Sequence, residues 1–60
     1  MTPKQRVLKK YRRAICERDI VANPEWPYSV WRGGYYWLGG GKSAASAWAD
    51  AARRLERKHD

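Results

Sequence analysis

The residues of this chain with the plainest chemistry are its cations. Lys4, Arg6, Lys9, Lys10, Arg12 and Arg13 cluster near the start, and Arg53, Arg54, Arg57 and Lys58 near the end. Between them Gly39-Gly40-Gly41-Lys42-Ser43 leads into an alanine-rich segment. Basic clusters of this kind meet polyanions, and two of them on neighbouring helices would form one stripe able to track a phosphate backbone. Gly41-Lys42-Ser43 also matches the close of a phosphate-binding P-loop. That pattern requires a glycine where Tyr36 stands, and a parallel sheet larger than this chain can build, which argues against nucleotide hydrolysis. A more general effect survives. Glycines ahead of a helix leave free N–H groups beside Lys42, with Ser43 as the N-cap, and such a terminus suits a phosphate oxygen. For catalysis there is little to assemble. Cys16, Asp50 and the near-terminal His59 make no credible triad, a domain of this size has almost no room for a cleft, and neither a metal nor a cofactor is expected.

The elements that must position these residues follow from period and punctuation. Thr2-Pro3 is a helix start, with the threonine hydroxyl capping free amides and Pro3 at the first helical position, and Val7, Leu8 and Tyr11 form an apolar face. Periodicity alone would carry this helix on to Glu17 through Ala14, Ile15 and Arg18. A lone two-stranded hairpin is marginal in water, however, so a third strand at Arg13 to Arg18 is the expectation, and an αββα order the alternative. Asp19 to Pro27 reads as a connection, because Asn23-Pro24 favours a turn and both prolines bias the residues before them away from helix. Trp26 is expected to anchor that loop against the sheet edge.

Gly33-Gly34 between two aromatic and β-branched runs signals a hairpin, with strands near Tyr28 to Arg32 and Tyr35 to Gly39. A two-residue turn would pair Arg32 with Tyr35, Trp31 with Tyr36, Val30 with Trp37, and Ser29 with Leu38. One face then carries Tyr28, Val30, Arg32, Tyr35 and Trp37, the other Ser29, Trp31, Tyr36 and Leu38. Both are aromatic, so Trp31 and Tyr36 are candidates for a partner surface, including a dimer contact through the open face. Ala44, Trp48, Ala51 and Leu55 mark the buried stripe of a last helix near Ser43 to Arg57, with Ser46, Asp50 and Arg53 away from it. The expected core is Val7, Leu8, Tyr11, Val30, Trp37, Ala44, Trp48, Ala51 and Leu55.

Sixty residues make one domain whose stability margin is thin, and its four tryptophans and four tyrosines supply the core volume that few aliphatics could. With one cysteine and one histidine there is neither a disulfide nor a zinc site to staple it, and a free Cys16 fits a reducing compartment. No leader-like or membrane-spanning apolar run is present, so a cytoplasmic protein is expected. The net charge of +7 favours a polyanionic partner.

Leu8-Lys9-Lys10-Tyr11 and Ala47-Trp48-Ala49-Asp50-Ala51-Ala52-Arg53-Arg54-Leu55 resemble the two ends of short, uncharacterised phage and prophage proteins. The resemblance implies a role in a bacterial cytoplasm and supports the αβββα order. That order is similar in layout to the double-stranded-RNA-binding domain, in which Lys42 and Ser43 would sit at the phosphate-contacting start of the second helix; Ala44, Ala45 and Ser46 stand where that family has lysines. The expectation is an α+β domain, αβββα, with a three-stranded antiparallel sheet and helices on one face. Lys9, Lys10, Arg13, Lys42, Ser43, Arg53 and Arg54 are the candidate nucleic-acid contacts. A host or phage protein docking on Trp31 and Tyr36 is the alternative.

Overall fold

The computed structural model of the chain describes residues 1–33 and 36–57. It contains α1 (Pro3–Lys10), β1 (Ile15–Arg18), β2 (Tyr28–Trp31), β3 (Trp37–Gly41) and α2 (Ala44–Arg57), the αβββα order. The three strands form an antiparallel meander in the order β1-β2-β3, packed against the two helices. No described helix is long and apolar enough to cross a membrane.

Helix α1 begins with a full capping box. Thr2 Oγ1 accepts the Gln5 N–H at 3.1 Å, and Gln5 Oε1 accepts the Thr2 N–H at 2.9 Å, so two otherwise orphaned donors are satisfied. The helix closes where the Tyr11 N–H reaches the Val7 carbonyl at 2.7 Å and Tyr11 turns extended. After a turn the chain becomes β1, and burial alternates along it: Ala14 and Cys16 face the core while Ile15 and Glu17 face away. Strand pairing thus overrides a helical periodicity that, on α1 alone, would run further. The Asp19 to Pro27 connection is organised by Asp19. Its Oδ1 accepts the Ala22 N–H at 3.0 Å, and its own N–H reaches the Pro27 carbonyl at 2.6 Å, closing the base of the loop.

The hairpin departs from the two-residue register. The Arg32 N–H bonds the Tyr36 carbonyl at 2.8 Å, so three residues lie between the closing pair, and Gly33 takes a positive φ of 87°. Gly34 and Tyr35, and with them the expected type I′ turn and the Arg32–Tyr35 pair, lie outside the described residues. Trp31 pairs with Trp37, Val30 with Gly39, and Ser29 with Gly40, with an irregularity between Val30 and Trp31 that leaves Leu38 unpaired. A longer connection plus one bulged residue therefore moves β3 toward the helix, and it runs Trp37–Gly41 instead of Tyr35 to Gly39.

The slip exchanges two core assignments. Leu38 is buried, whereas Trp37 pairs with Trp31, sets its ring at the sheet edge beside Arg54 of α2 and is 46% exposed. Val7, Ala14, Val30, Leu38, Ala47, Trp48, Ala51, Ala52 and Leu55 make the core, with Leu8, Tyr11, Cys16 and Tyr28 packed against it. Ala44, expected inside, is exposed because it opens α2, and the buried stripe of the helix is carried by Ala47 and Ala52 instead.

The glycine run is strand and not a flexible lead into α2. A Cβ on Gly39 would stand 2.5 Å from the Ala51 nitrogen, and one on Gly41 2.6 Å from Ser46 Cβ. The missing side chains let the backbone of α2 approach β3 more closely than any other residue would permit. The two run antiparallel, with Gly41 against Ser46 and Ala47, Gly39 against Ala51, and Trp37 against Arg54.

Candidate nucleic-acid interface

The edge strand β3, the flank of α2 beside it and the loop before β2 enclose an open depression of about 630 Å³. It is lined by Gly40 and Trp37 of β3, by Trp26 of the loop, and by Ala49, Asp50, Arg53 and Arg54 of α2. Trp26 also borders the adjoining hollow around Lys42, which Pro24, Glu25 and Pro27 complete. Arg53 and Arg54 thus line one hollow and Lys42 the other, with Trp26 shared between them.

Asp50 organises the first of these. Its carboxylate accepts the Gly40 N–H at 3.1 Å, Arg54 Nε at 2.9 Å and Arg53 Nη2 at 2.5 Å, and its side chain is only 13% exposed. The arginines follow at i+3 and i+4, the spacing at which helical side chains meet. Gly40 supplies what the helix alone lacks: an edge-strand donor that would otherwise be free to pair with another chain. The Arg54 guanidinium lies 4.8 Å from the Trp37 ring centroid, a cation–π contact, and Gly40 also adjoins the ring, since a Cβ there would come within 3.2 Å of it.

Partial burial on its own would raise the Asp50 carboxyl pKa. The hydrogen bonds from Arg54, Gly40 and Arg53 and the charge of Arg54 outweigh it and hold the group below the ordinary carboxylate value. A depressed folded-state pKa means that Asp50 contributes stability above its unfolded value of about 3.9, a contribution lost as the pH falls through that value toward the folded one. Asp50→Ala should lower the unfolding free energy by about 1 kcal/mol, at the low end of the cost of an unpaired amide, because the exposed arginines lose little and Gly40 can turn to water in the open depression. Urea denaturation at neutral pH and below pH 4 checks this, since the gap between variant and parent should close in acid.

The other cations are placed elsewhere. Lys9 and Lys10 occupy the last turn of α1, with the Lys10 ammonium 6.0 Å from the Tyr11 ring centroid, and Arg13 follows in the turn before β1, backed by Gly33. Helix α1 lies beside α2, tied to it by Arg6–Glu56 at 2.6 Å and by Lys4 over Trp48 at 5.8 Å. These contacts fall on the flank of α2 opposite Asp50 and Arg54. The helices pack side by side, and among the described residues Arg6 meets α2 at Glu56 whereas Arg53 and Arg54 turn to Asp50. Lys58 and His59 lie outside the described residues.

Ser43 precedes α2 as expected. Its Oγ accepts the Ser46 N–H at 3.2 Å and its carbonyl accepts the Ala47 N–H at 2.9 Å. The cap thereby uses an amide that the phosphate reading of this terminus needs. Trp31 and Tyr36 are also parted. Trp31 is half-buried on the open sheet face, beside Glu17 and Ser29, whereas Tyr36 is 66% exposed and stacks on Arg32 at 4.9 Å, with Tyr11 on that guanidinium at 5.0 Å. The open face presents Trp31 beside its partner Ile15 instead. Cys16 packs against the core, where burial pushes its thiol up despite the nearby Lys4, so it is a poor nucleophile. Among the described residues no group of three His, Cys, Asp or Glu is placed to hold a metal ion.

Sequence reasoning missed Trp26, Trp37 and Asp50 as members of the site. The pairing of Asp50 with Arg53 and Arg54 was visible as helical spacing, but the exposure of the two tryptophans depends on a register and an edge that no local pattern marks. No protein-family model, curated protein or solved structure matches this chain.

Proposed function

We propose that the protein is a small nucleic-acid-binding module of a bacterial, phage-type cytoplasm, which meets phosphates through Lys42, Arg53 and Arg54. One observation carries this reading: Arg53 and Arg54 line a depression with the exposed Trp26 and Trp37, and Lys42 lines a second hollow that also borders Trp26, on a chain of net charge +7. Glu25 and Asp50 are the acids beside them, which leaves the surface cationic, and Asp50 fixes the direction of both guanidinium groups. Ser43 supports the site by fixing the start of α2. Lys9, Lys10 and Arg13 form a second basic patch that adds to the long-range attraction.

Affinity for nucleic acid should fall steeply with salt. The logarithm of the binding constant should follow the logarithm of salt concentration with a slope near −0.9 per phosphate neutralised on a duplex, or about −0.7 on a single strand. Lys42→Ala should flatten that slope by about one unit. Titrations of duplex DNA, duplex RNA and single strands at low and near-physiological salt measure both, and no binding to any of them at low salt would overturn the proposal.

The second reading, a protein partner or a second copy of the chain on the open sheet face, draws on the exposed Ile15 beside Trp31. Its affinity would reside in one or two aromatic anchors and depend weakly on salt. A pull-down from bacterial lysate and the sedimentation of the free protein address it.

A further inference from the structure

Resting on the nucleic-acid reading, we infer that the depression takes a single strand and not a duplex, with a base stacked on Trp26. Trp26 is 57% and Trp37 46% exposed, in a chain so short that each large aromatic withheld from the core is a substantial loss. Phosphates alone would be served by the cations. Exposed indole faces serve a ligand with flat faces of its own, and a duplex keeps its base faces covered by stacking, whereas a single strand offers them.

The two rings have different parts. Trp37 is held between Gly40 and the Arg54 guanidinium, so it acts as a support: it holds flat a cation whose Nε is already engaged by Asp50 and whose terminal nitrogens remain for a phosphate. Trp26 makes the freer platform. It sits between Glu25 and Pro27 in a loop closed at its base by the Asp19–Pro27 bond, so little conformational entropy remains to be lost when a base stacks on it. Charge and shape agree, since Arg53 and Arg54 on the helix side of the depression and Lys42 in the hollow beyond Trp26 fit a backbone that passes along the rim while its bases turn to the indoles.

The test uses the full chain with labelled strands of about 12 nucleotides, DNA and RNA, and the matching duplexes, read by fluorescence anisotropy at equal salt. Single strands should bind more tightly than duplexes and quench tryptophan emission. Trp26→Ala should weaken single-strand binding by about five- to a hundredfold and leave duplex binding unchanged, as expected for the loss of one base–aromatic stack. Trp26→Phe, which keeps a ring, should recover most of the loss and also separates stacking from any effect of the alanine on the loop. Equal affinity for duplex and single strand, or a Trp26→Ala variant that binds single strands like the parent, would overturn this inference while the nucleic-acid reading stands. Absence of binding to every strand at low salt would remove both.

Discussion

Gly39→Ala should lower the unfolding free energy by about 3 kcal/mol and the melting temperature by about 15 to 20 °C, among the largest effects of any single methyl group added to this chain. The added Cβ would stand 2.5 Å from the Ala51 nitrogen, 2.8 Å from its Cα and 3.0 Å from the Asp50 carbonyl carbon. All three are backbone atoms of a helix turn, so no rotamer change can relieve the clash. The only relief is for α2 to withdraw from β3 by about an ångström, which loosens Ala47, Ala51 and Val30 together, since their packing has no slack to absorb it. A domain of this length has only about 3 to 9 kcal/mol to lose. Gly41→Ala meets Ser46 Cβ at 2.6 Å and the Ala47 nitrogen at 2.9 Å, nearer the start of the helix, and should cost less because that end can shift with less of the core attached. Thermal and urea melts followed by circular dichroism measure both. A Gly39→Ala melting temperature within a few degrees of the parent would mean that α2 does not sit on the strand backbone.

The same glycines show where sequence reasoning stops. Three in succession read as loop, because propensity records what glycine costs a strand and not what a neighbouring helix gains from it. That gain is written across β3 and α2 together, in Gly39 and Gly41 facing the small residues Ser46, Ala47 and Ala51, and no single window contains both. What could be read within one element was read: the Thr2 cap and Pro3 of α1, the stripe of α2 through Trp48, Ala51 and Leu55, and the segment from Tyr28. The first strand was legible only through the instability of a lone hairpin, an argument about the whole fold. Register was not legible, since it turns on one bulged residue, Leu38, and a slip of this kind moves a side chain such as Trp37 from core to surface. The candidate site divides in the same way. Lys42, Arg53 and Arg54 stood out by charge, but their meeting beside Trp26 and Trp37 depends on an edge strand covered by the loop and by α2.

Trp48→Ala should leave the chain largely unfolded at room temperature. Trp48 is 8% exposed at the centre of α2, and its companions on the buried face are Ala47, Ala51, Ala52 and Leu55, so the indole is the largest side chain that this helix brings to the core. Among the described residues the largest side chains buried outright are Val7 and Val30, one from α1 and one from the sheet, and neither can expand to fill the space that an indole vacates. Truncating a buried aromatic costs about 3 to 5 kcal/mol, the lost transfer energy plus the cavity, which is comparable with the entire stability available. The Lys4 contact over the ring adds little, because it lies at the surface end of the side chain. Trp48→Phe, which keeps an apolar ring in place, should fold with reduced stability. Trp26→Ala is the contrasting control: it removes the same indole from a position 57% exposed and should melt close to the parent. Amide dispersion and the cooperativity of urea unfolding distinguish the three. If Trp48→Ala kept native dispersion and a cooperative transition, the centre of the core would have to lie on Val7, Val30 and Leu38 instead, with α2 held to the sheet chiefly by its close contact with Gly39 and Gly41.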